Sequence, residues 1–184
     1  QAAAESEART KEHQLRQITA SIPGVVYQIL FCTDGTTKGI FVSERSREIF
    51  GLDNSLTGVF ERFSANIHPD DRQGFLDSGA LAVKNQTRWK YEGRFIKPSG
   101  ELIWFEANAS PAVAENGVIF TGVILDITSR KKTEEALHQS ESLYGTLADE
   151  AQDLIYIINR DDSVVYINRY AAKKIGRSRE DIIG

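Results

Sequence analysis

Apolar positions change their period several times along this chain, and each change marks an element. Before Pro23, residues 1–22 contain neither Gly nor Pro, and Ala4, Ala8, Lys11, Leu15, Ile18 and Ile22 alternate spacings of four and three, the seam of a helix that meets another helix. Two Ala and a Lys weaken the first half of that seam, so a solvated amphipathic helix packed on its own domain and a coiled coil both fit. From Val25 the period becomes that of a strand. Residues 25–31 are β-branched and aromatic apart from Gln28 and Leu30, Asp34-Gly35 with Thr36-Thr37 supplies turn chemistry, and residues 39–42 read as the returning strand. Ser43 is placed to cap a helix that passes through Ile49 and Phe50 and stops at Gly51.

Residues 52–86 read as short helices. Phe60, Phe63 and Ile67 stand three and four apart, and His68-Pro69-Asp70-Asp71 is a helix start, with Pro near the first turn and acids set against the helix dipole. Three strands follow. Over 88–97, Trp89, Tyr91, Gly93 and Phe95 share a face. Pro98-Ser99-Gly100 turns the chain into 101–109, where Ile103, Phe105, Ala107 and Ala109 lie opposite Leu102, Trp104, Glu106 and Asn108. Asn116-Gly117 is a two-residue hairpin signal leading into 118–127. Two strands, a helical cluster and three strands predict an α+β fold: a five-stranded antiparallel sheet with helices on one face.

At Thr128 the helical period returns, and Thr133, Leu137, Ser140, Tyr144, Leu147 and Ala151 keep the four-three spacing. Then the chain repeats itself. Residues 154–158 parallel the first strand, Asp161-Asp162 the turn and residues 164–167 the second strand; Asn168 stands where Ser43 stood, and Ile175-Gly176 matches Phe50-Gly51. The first copy carries a hairpin loop four residues longer. Tandem copies joined by helices are the most informative single feature of the sequence.

Composition narrows the classes. Of 184 residues 41% are apolar, and 22 Lys and Arg against 26 Asp and Glu give a net charge of −4. That balance argues against nucleic acid or an anionic membrane as partner. A single cysteine, Cys32, forms no internal disulfide and fits a reducing, cytoplasmic compartment. The longest apolar run, 118–125, is broken by Thr121 and Gly122 and falls far short of the ~18 residues of a membrane span. The expectation is a cytoplasmic piece of a longer protein. No Ser-His-Asp order, phosphate loop or Cys/His metal spacing stands out, so no catalytic residue and no metal site are expected.

Phe41-Val42-Ser43, Ile49-Phe50-Gly51, Ile67-His68-Pro69-Asp70-Asp71-Arg72, Arg94-Phe95-Ile96-Lys97-Pro98-Ser99-Gly100-Glu101, Trp104 and Gly122-Val123-Ile124-Leu125-Asp126-Ile127-Thr128 occur in that order. Through them, residues 21–128 resemble a PAS domain with its C-terminal PAC stretch, of the PAS-fold 3 type met in prokaryotic sensory proteins. Residues 143–184 resemble the N-terminal part of a second, truncated PAS domain. The implied layout is an N-terminal connector helix over 1–20, the PAS/PAC domain, an exit helix over 129–142 and the second copy. The resemblance implies a sensor or relay module upstream of an output domain in the same chain, most simply a two-component histidine kinase or else a cyclic-dinucleotide enzyme. It also implies a homodimer through connector helices and sheet surface, and a small-molecule ligand. Haem is not expected, since haem-holding relatives use an inward His on the helix that here spans 70–84, where none occurs. Covalent flavin is not expected either, because 52–67 lacks a Cys; Cys32 reads as a buried inert thiol and His138 as a solvated linker residue.

Two sets of residues are candidates for function. Tyr27, Phe41, Phe50, Phe63, Phe75, Trp89, Phe95, Phe105 and Phe120 either line a ligand cleft between sheet and helices or simply fill the core. Asp126, Ile127 and Thr128 end the last strand and open the exit helix; they are a plain helix cap, or a cap through which movement of the sheet reaches the helix. A sensory relay, a non-sensing dimerisation spacer and, least supported, a small enzyme are the three functional readings, and fold alone does not separate them.

Overall fold

The computed structural model describes residue 19 and residues 21–183. The connector helix expected over 1–20 therefore lies, Thr19 apart, outside the described residues.

β1 (Val25–Cys32) and β2 (Thr37–Val42) form the first hairpin. Its loop is set by Gly35 at φ +84° and by Asp34, whose carboxylate accepts the Thr36 N–H and hydroxyl at 2.9 and 2.6 Å. Three helices follow: α1 (Arg45–Phe50), α2 (Val59–Ala65) and α3 (Pro69–Asn85). The remaining strands, β3 (Trp89–Ile96), β4 (Leu102–Ala114) and β5 (Gly117–Asp126), complete an antiparallel sheet in the order β2-β1-β5-β4-β3. The first strand thus pairs with the last at the middle of the sheet.

The alternation in the sequence sorts the two faces. Val25, Tyr27 and Ile29, then Ile103, Phe105 and Ala107, then Phe120 and Ile124, all point inward and are buried with Phe50 of α1 and Phe75 and Ala82 of α3. Phe63 of α2 stands at the centre of the aromatic packing, with ring centroids 5.4, 6.0, 4.9 and 5.3 Å from Phe50, Phe75, Phe95 and Phe105. The outer edge of β3 is covered by residues 66–68: the Ile96 N–H donates to Asn66 O, and the His68 N–H to Arg94 O.

Three local expectations need correction. Ser43 does not cap α1. Its hydroxyl accepts the Val26 N–H of β1 at 3.1 Å, and the cap position is Glu44, with no side-chain bond. The hairpin between β4 and β5 turns on residues 115 and 116, since Ala114 already pairs with Gly117, and neither turn residue has a positive φ. Gly117 is needed for another reason: at φ +151° it passes so close to β1 that a Cβ would lie 2.0 Å from the Phe31 carbonyl oxygen. Finally, the exit helix expected over 129–142 is α4 (Thr128–Glu150), which runs on past Gly145.

The chain divides into two compact units after Ser129. In the second unit β6 (Tyr156–Ile158) and β7 (Val164–Ile167) form a hairpin, followed by α5 (Arg169–Ile175). The repeat holds to the level of register. Tyr27 pairs with Val42 and Gln28 with Phe41, then the register slips; Tyr156 pairs with Ile167 and Ile157 with Tyr166, and the register slips at the same step. Asn168 repeats the part of Ser43: its N–H donates to Ile155 O and its Oδ1 accepts the Ile155 N–H, as Ser43 does with Val26.

Candidate functional site

The sheet and the helical cluster do not close completely on each other. A cavity of about 70 Å³ remains between β1, β5 and the three helices. Tyr27, Ile29 and Phe31 of β1, Phe120 and Ile124 of β5, Ala107 of β4 and Trp89 of β3 form its floor. Ser46 and Phe50 of α1, Val59, Phe60 and Phe63 of α2, and Phe75 and Val83 of α3 form its roof. Leu52, Asp53 and Arg62 complete the wall; the latter two are partly exposed and pair with each other at 3.3 Å. Of the nine aromatics expected at a cleft, Tyr27, Phe50, Phe63, Phe75, Trp89 and Phe120 line this space. Phe95 and Phe105 do not; they are wholly buried in the core beside it. Phe41 does not either, since it follows the opposite alternation on β2 from buried Val42. Phe31, Phe60, the aliphatic part of the wall and Ser46 lie outside those nine, although Ser46 and Phe50, four apart on α1, signal one inward face.

The roof is strapped to the sheet by polar groups at β3. Trp89 Nε1 donates to Ser78 Oγ at 3.1 Å, and the Tyr91 hydroxyl donates to Asp71 O at 2.8 Å. Asp71, in the first turn of α3, accepts three bonds from Arg94: from its N–H at 2.8 Å, Nε at 2.9 Å and Nη2 at 2.7 Å. Hydrogen bonding to Arg94 holds the Asp71 carboxyl below the usual carboxylate range, against the opposing effect of desolvation. Burial raises the Tyr91 phenol, helped by the Asp71 charge. The Arg94 guanidinium carbon also lies 5.9 Å from the centroid of the Trp104 ring on β4.

Trp104 is where the sheet meets the exit helix. The β4–β5 pairing ends at Phe105 and Asp126. One residue further, Trp104 O accepts the Ile127 N–H at 2.9 Å and its N–H donates to the Thr128 hydroxyl at 3.0 Å. A side-chain oxygen therefore continues the ladder after the backbone has turned into the helix. Asp126 Oδ1 accepts the Thr128 N–H at 2.8 Å, which occupies one of the donors that α4 leaves open at its start, and Ile127 is buried beneath. Of the two residues the sequence offers as caps, Asp126 takes that part, and Thr128 instead accepts the strand N–H. The role of the Trp104 backbone has no sequence signal beyond its place in the strand.

The other singled-out residues lie elsewhere. His68 is the N-cap of α3, its Nδ1 accepting the Asp70 N–H at 3.3 Å. Cys32, expected buried, is half-buried at the end of β1, and His138 is exposed on α4. Among the described residues no group of three His, Cys, Asp or Glu could hold a metal ion, and no helix is long and apolar enough to cross a membrane.

Comparison with known proteins matches both copies. Residues 39–124 fit the family model described as PAS fold, and residues 152–184 one described as PAS domain. The chain is 26% identical over 183 residues, 98% of its length, to the two-component sensor PprA of Pseudomonas aeruginosa. It is 24% identical over 178 residues, 92% of its length, to the peroxide stress-activated histidine kinase mak1 of Schizosaccharomyces pombe. It spans 19% and 11% of the length of these two relatives. Among solved structures, a sensory box histidine kinase/response regulator from Burkholderia thailandensis superposes with a TM-score of 0.54 at 20% identity, over 71% of this chain and 97% of that one. The PAS domain of an HTR-like protein from Haloarcula marismortui gives 0.50 at 20% identity, over 69% and 100%.

Proposed function

The chain belongs to the PAS family, and from that premise we propose that residues 21–128 are a sensory and signal-relay module of a multidomain signal-transduction protein, most simply a sensor histidine kinase. A small molecule or partner acting at the cleft shifts the helical roof against the sheet, and residues 126–128 pass the shift to α4. The observation that carries this reading is the double hold of Trp104 on Ile127 and Thr128, which makes strand and helix start one hydrogen-bonded unit. The path from roof to exit is short: α3 is bound through Asp71 to Arg94, and Arg94 lies over Trp104. An input need favour one arrangement by only about 1–3 kcal/mol to couple usefully.

Onward transmission runs through paired α4 helices of a homodimer. Leu137, Tyr144 and Leu147 support that pairing, being exposed on α4 at the four-three spacing of a helix seam. A second reading, a spacer that dimerises without sensing, draws support from the small size of the cavity, which leaves most of the core filled. The test is the double variant Asp126→Ala, Thr128→Ala in the full-length parent protein. A relay predicts that the output response to stimulus is lost while the protein stays folded; an unchanged response favours the spacer.

A further inference from the structure

We propose that the cleft takes a small, wholly apolar guest, one without hydrogen-bonding groups, and that Gly79 of α3 keeps the room for it. This rests on the reading of that cleft as a ligand site and adds the chemistry of what it takes.

The wall sets the class. What the lining residues expose to the cavity is almost entirely hydrocarbon and aromatic carbon. Trp89 Nε1 is engaged by Ser78 Oγ, and the two charged residues of the wall, Asp53 and Arg62, pair with each other. The buried side-chain nitrogens and oxygens without a partner among the described residues are Arg72 Nε, Tyr166 Oη and Arg179 Nε, and none of these residues lines the cavity. A polar guest would therefore give up its hydration and meet no orphaned group to bond, and an ion would meet no free counter-charge. Water fares no better, since a buried water needs about two to four polar partners; apolar cavities stay dry and take up benzene or xenon instead. A water occupies ~10–15 Å³ of such space, so 70 Å³ admits roughly five to seven heavy atoms. The rings of Phe60 and Phe63 lie 6.1 and 6.0 Å from that of Phe75 and offer faces and edges to a flat guest.

Gly79 sets the size. Phe75, Gly79 and Val83 succeed one another at a spacing of one helical turn along α3, and all three line the cavity, so the middle of the stripe has no side chain. A glycine inside a helix is unfavourable relative to alanine and calls for a local reason. Gly74, the other glycine of α3, has one: a Cβ there would lie 3.2 Å from the Tyr91 hydroxyl oxygen, which bonds to Asp71 O. At Gly79 a Cβ would meet nothing within 4 Å. No neighbour demands this glycine; what it leaves open is the cavity.

Benzene and pyridine match in ring size and nearly in shape, and pyridine adds one acceptor nitrogen. Their affinities for the 184-residue chain and for Gly79→Leu, with pyridine neutral, are read from the methyl NMR signals of Val59 and Val83 in the wall. An apolar cleft predicts that benzene binds the parent at least about tenfold more tightly than pyridine, whose nitrogen is buried unpaired. Gly79→Leu, whose side chain takes up most of the room, should weaken benzene at least about tenfold. Pyridine bound as tightly as benzene overturns the apolar class and leaves the cleft as a ligand site. Failure of both compounds to bind the parent overturns the cleft reading and the proposal with it. Benzene bound equally by the parent and Gly79→Leu overturns the part given to Gly79. Gly79→Ala, a smaller change should the leucine variant not fold, is expected to weaken benzene and to melt at or above the parental temperature. A fall of more than about 5 °C would mean that no open space adjoins Gly79, and would also overturn the proposal.

Discussion

Single residues in this chain are chosen for the partner they find across the fold. Asp71 is the clearest case. Its sequence setting, after His68-Pro69-Asp70, reads as an acid placed for the dipole of α3, yet its carboxylate spends itself on three donors of Arg94, 23 residues on. Asp71→Asn should cost about 1.5 kcal/mol at neutral pH, a figure kept modest because solvent reaches the neighbouring Asp70. The sign with pH follows from the lowered carboxyl. Its contribution is complete above the unfolded carboxylate value near 4 and disappears as pH falls through the lower folded value. Urea titrations of parent and variant should therefore differ at pH 7 and converge below about pH 4. What sequence cannot supply at this scale is direction. Ser43 offers an oxygen equally suited to a helix N–H or to a strand N–H 17 residues back, and only the closed hairpin decides for the strand. Gly117 likewise looks like turn chemistry and proves to be clearance for the Phe31 carbonyl.

At the level of elements the period of apolar residues was enough. Strands alternate with a period of two over 25–32, 89–96 and 102–109, and the buried positions in the structure follow that alternation. Helix boundaries were legible where a cap or glycine marks them, as at His68 and Gly51, and in α4 the four-three spacing kept as far as Ala151 follows the helix to its end past Gly145, which has open space around it. The two hairpins give a comparison within one chain. Ser43 contributes one accepted side-chain bond. Asn168, wholly buried, accepts from Ile155 and Ala171 and donates to Ala148 O and Asp153 O. Ser43→Ala should then cost about 1 kcal/mol and Asn168→Ala about 3 kcal/mol. Backbone amide NMR in denaturant, reading each unit by its own signals, checks both. Equal costs would show that the shared geometry does not carry the stability.

For the whole molecule, the sequence displays which aromatics converge but not the space they leave, because a gap of 70 Å³ is the residue of packing many side chains together. The same holds for the exit. Asp126-Ile127-Thr128 was visible as a motif, whereas the hold of Trp104 upon it exists only once β4 and β5 have paired. The central claim is that these two places, cleft and exit, are energetically one system. A double-mutant cycle on the 184-residue chain tests it with neither ligand nor output domain. Phe63→Leu loosens the centre of the roof, and Thr128→Val removes the hydroxyl that takes the Trp104 N–H while keeping its shape. Coupling predicts that the unfolding free energies of the two changes fail to add by about 0.5 kcal/mol or more. Additivity within about 0.3 kcal/mol would contradict it.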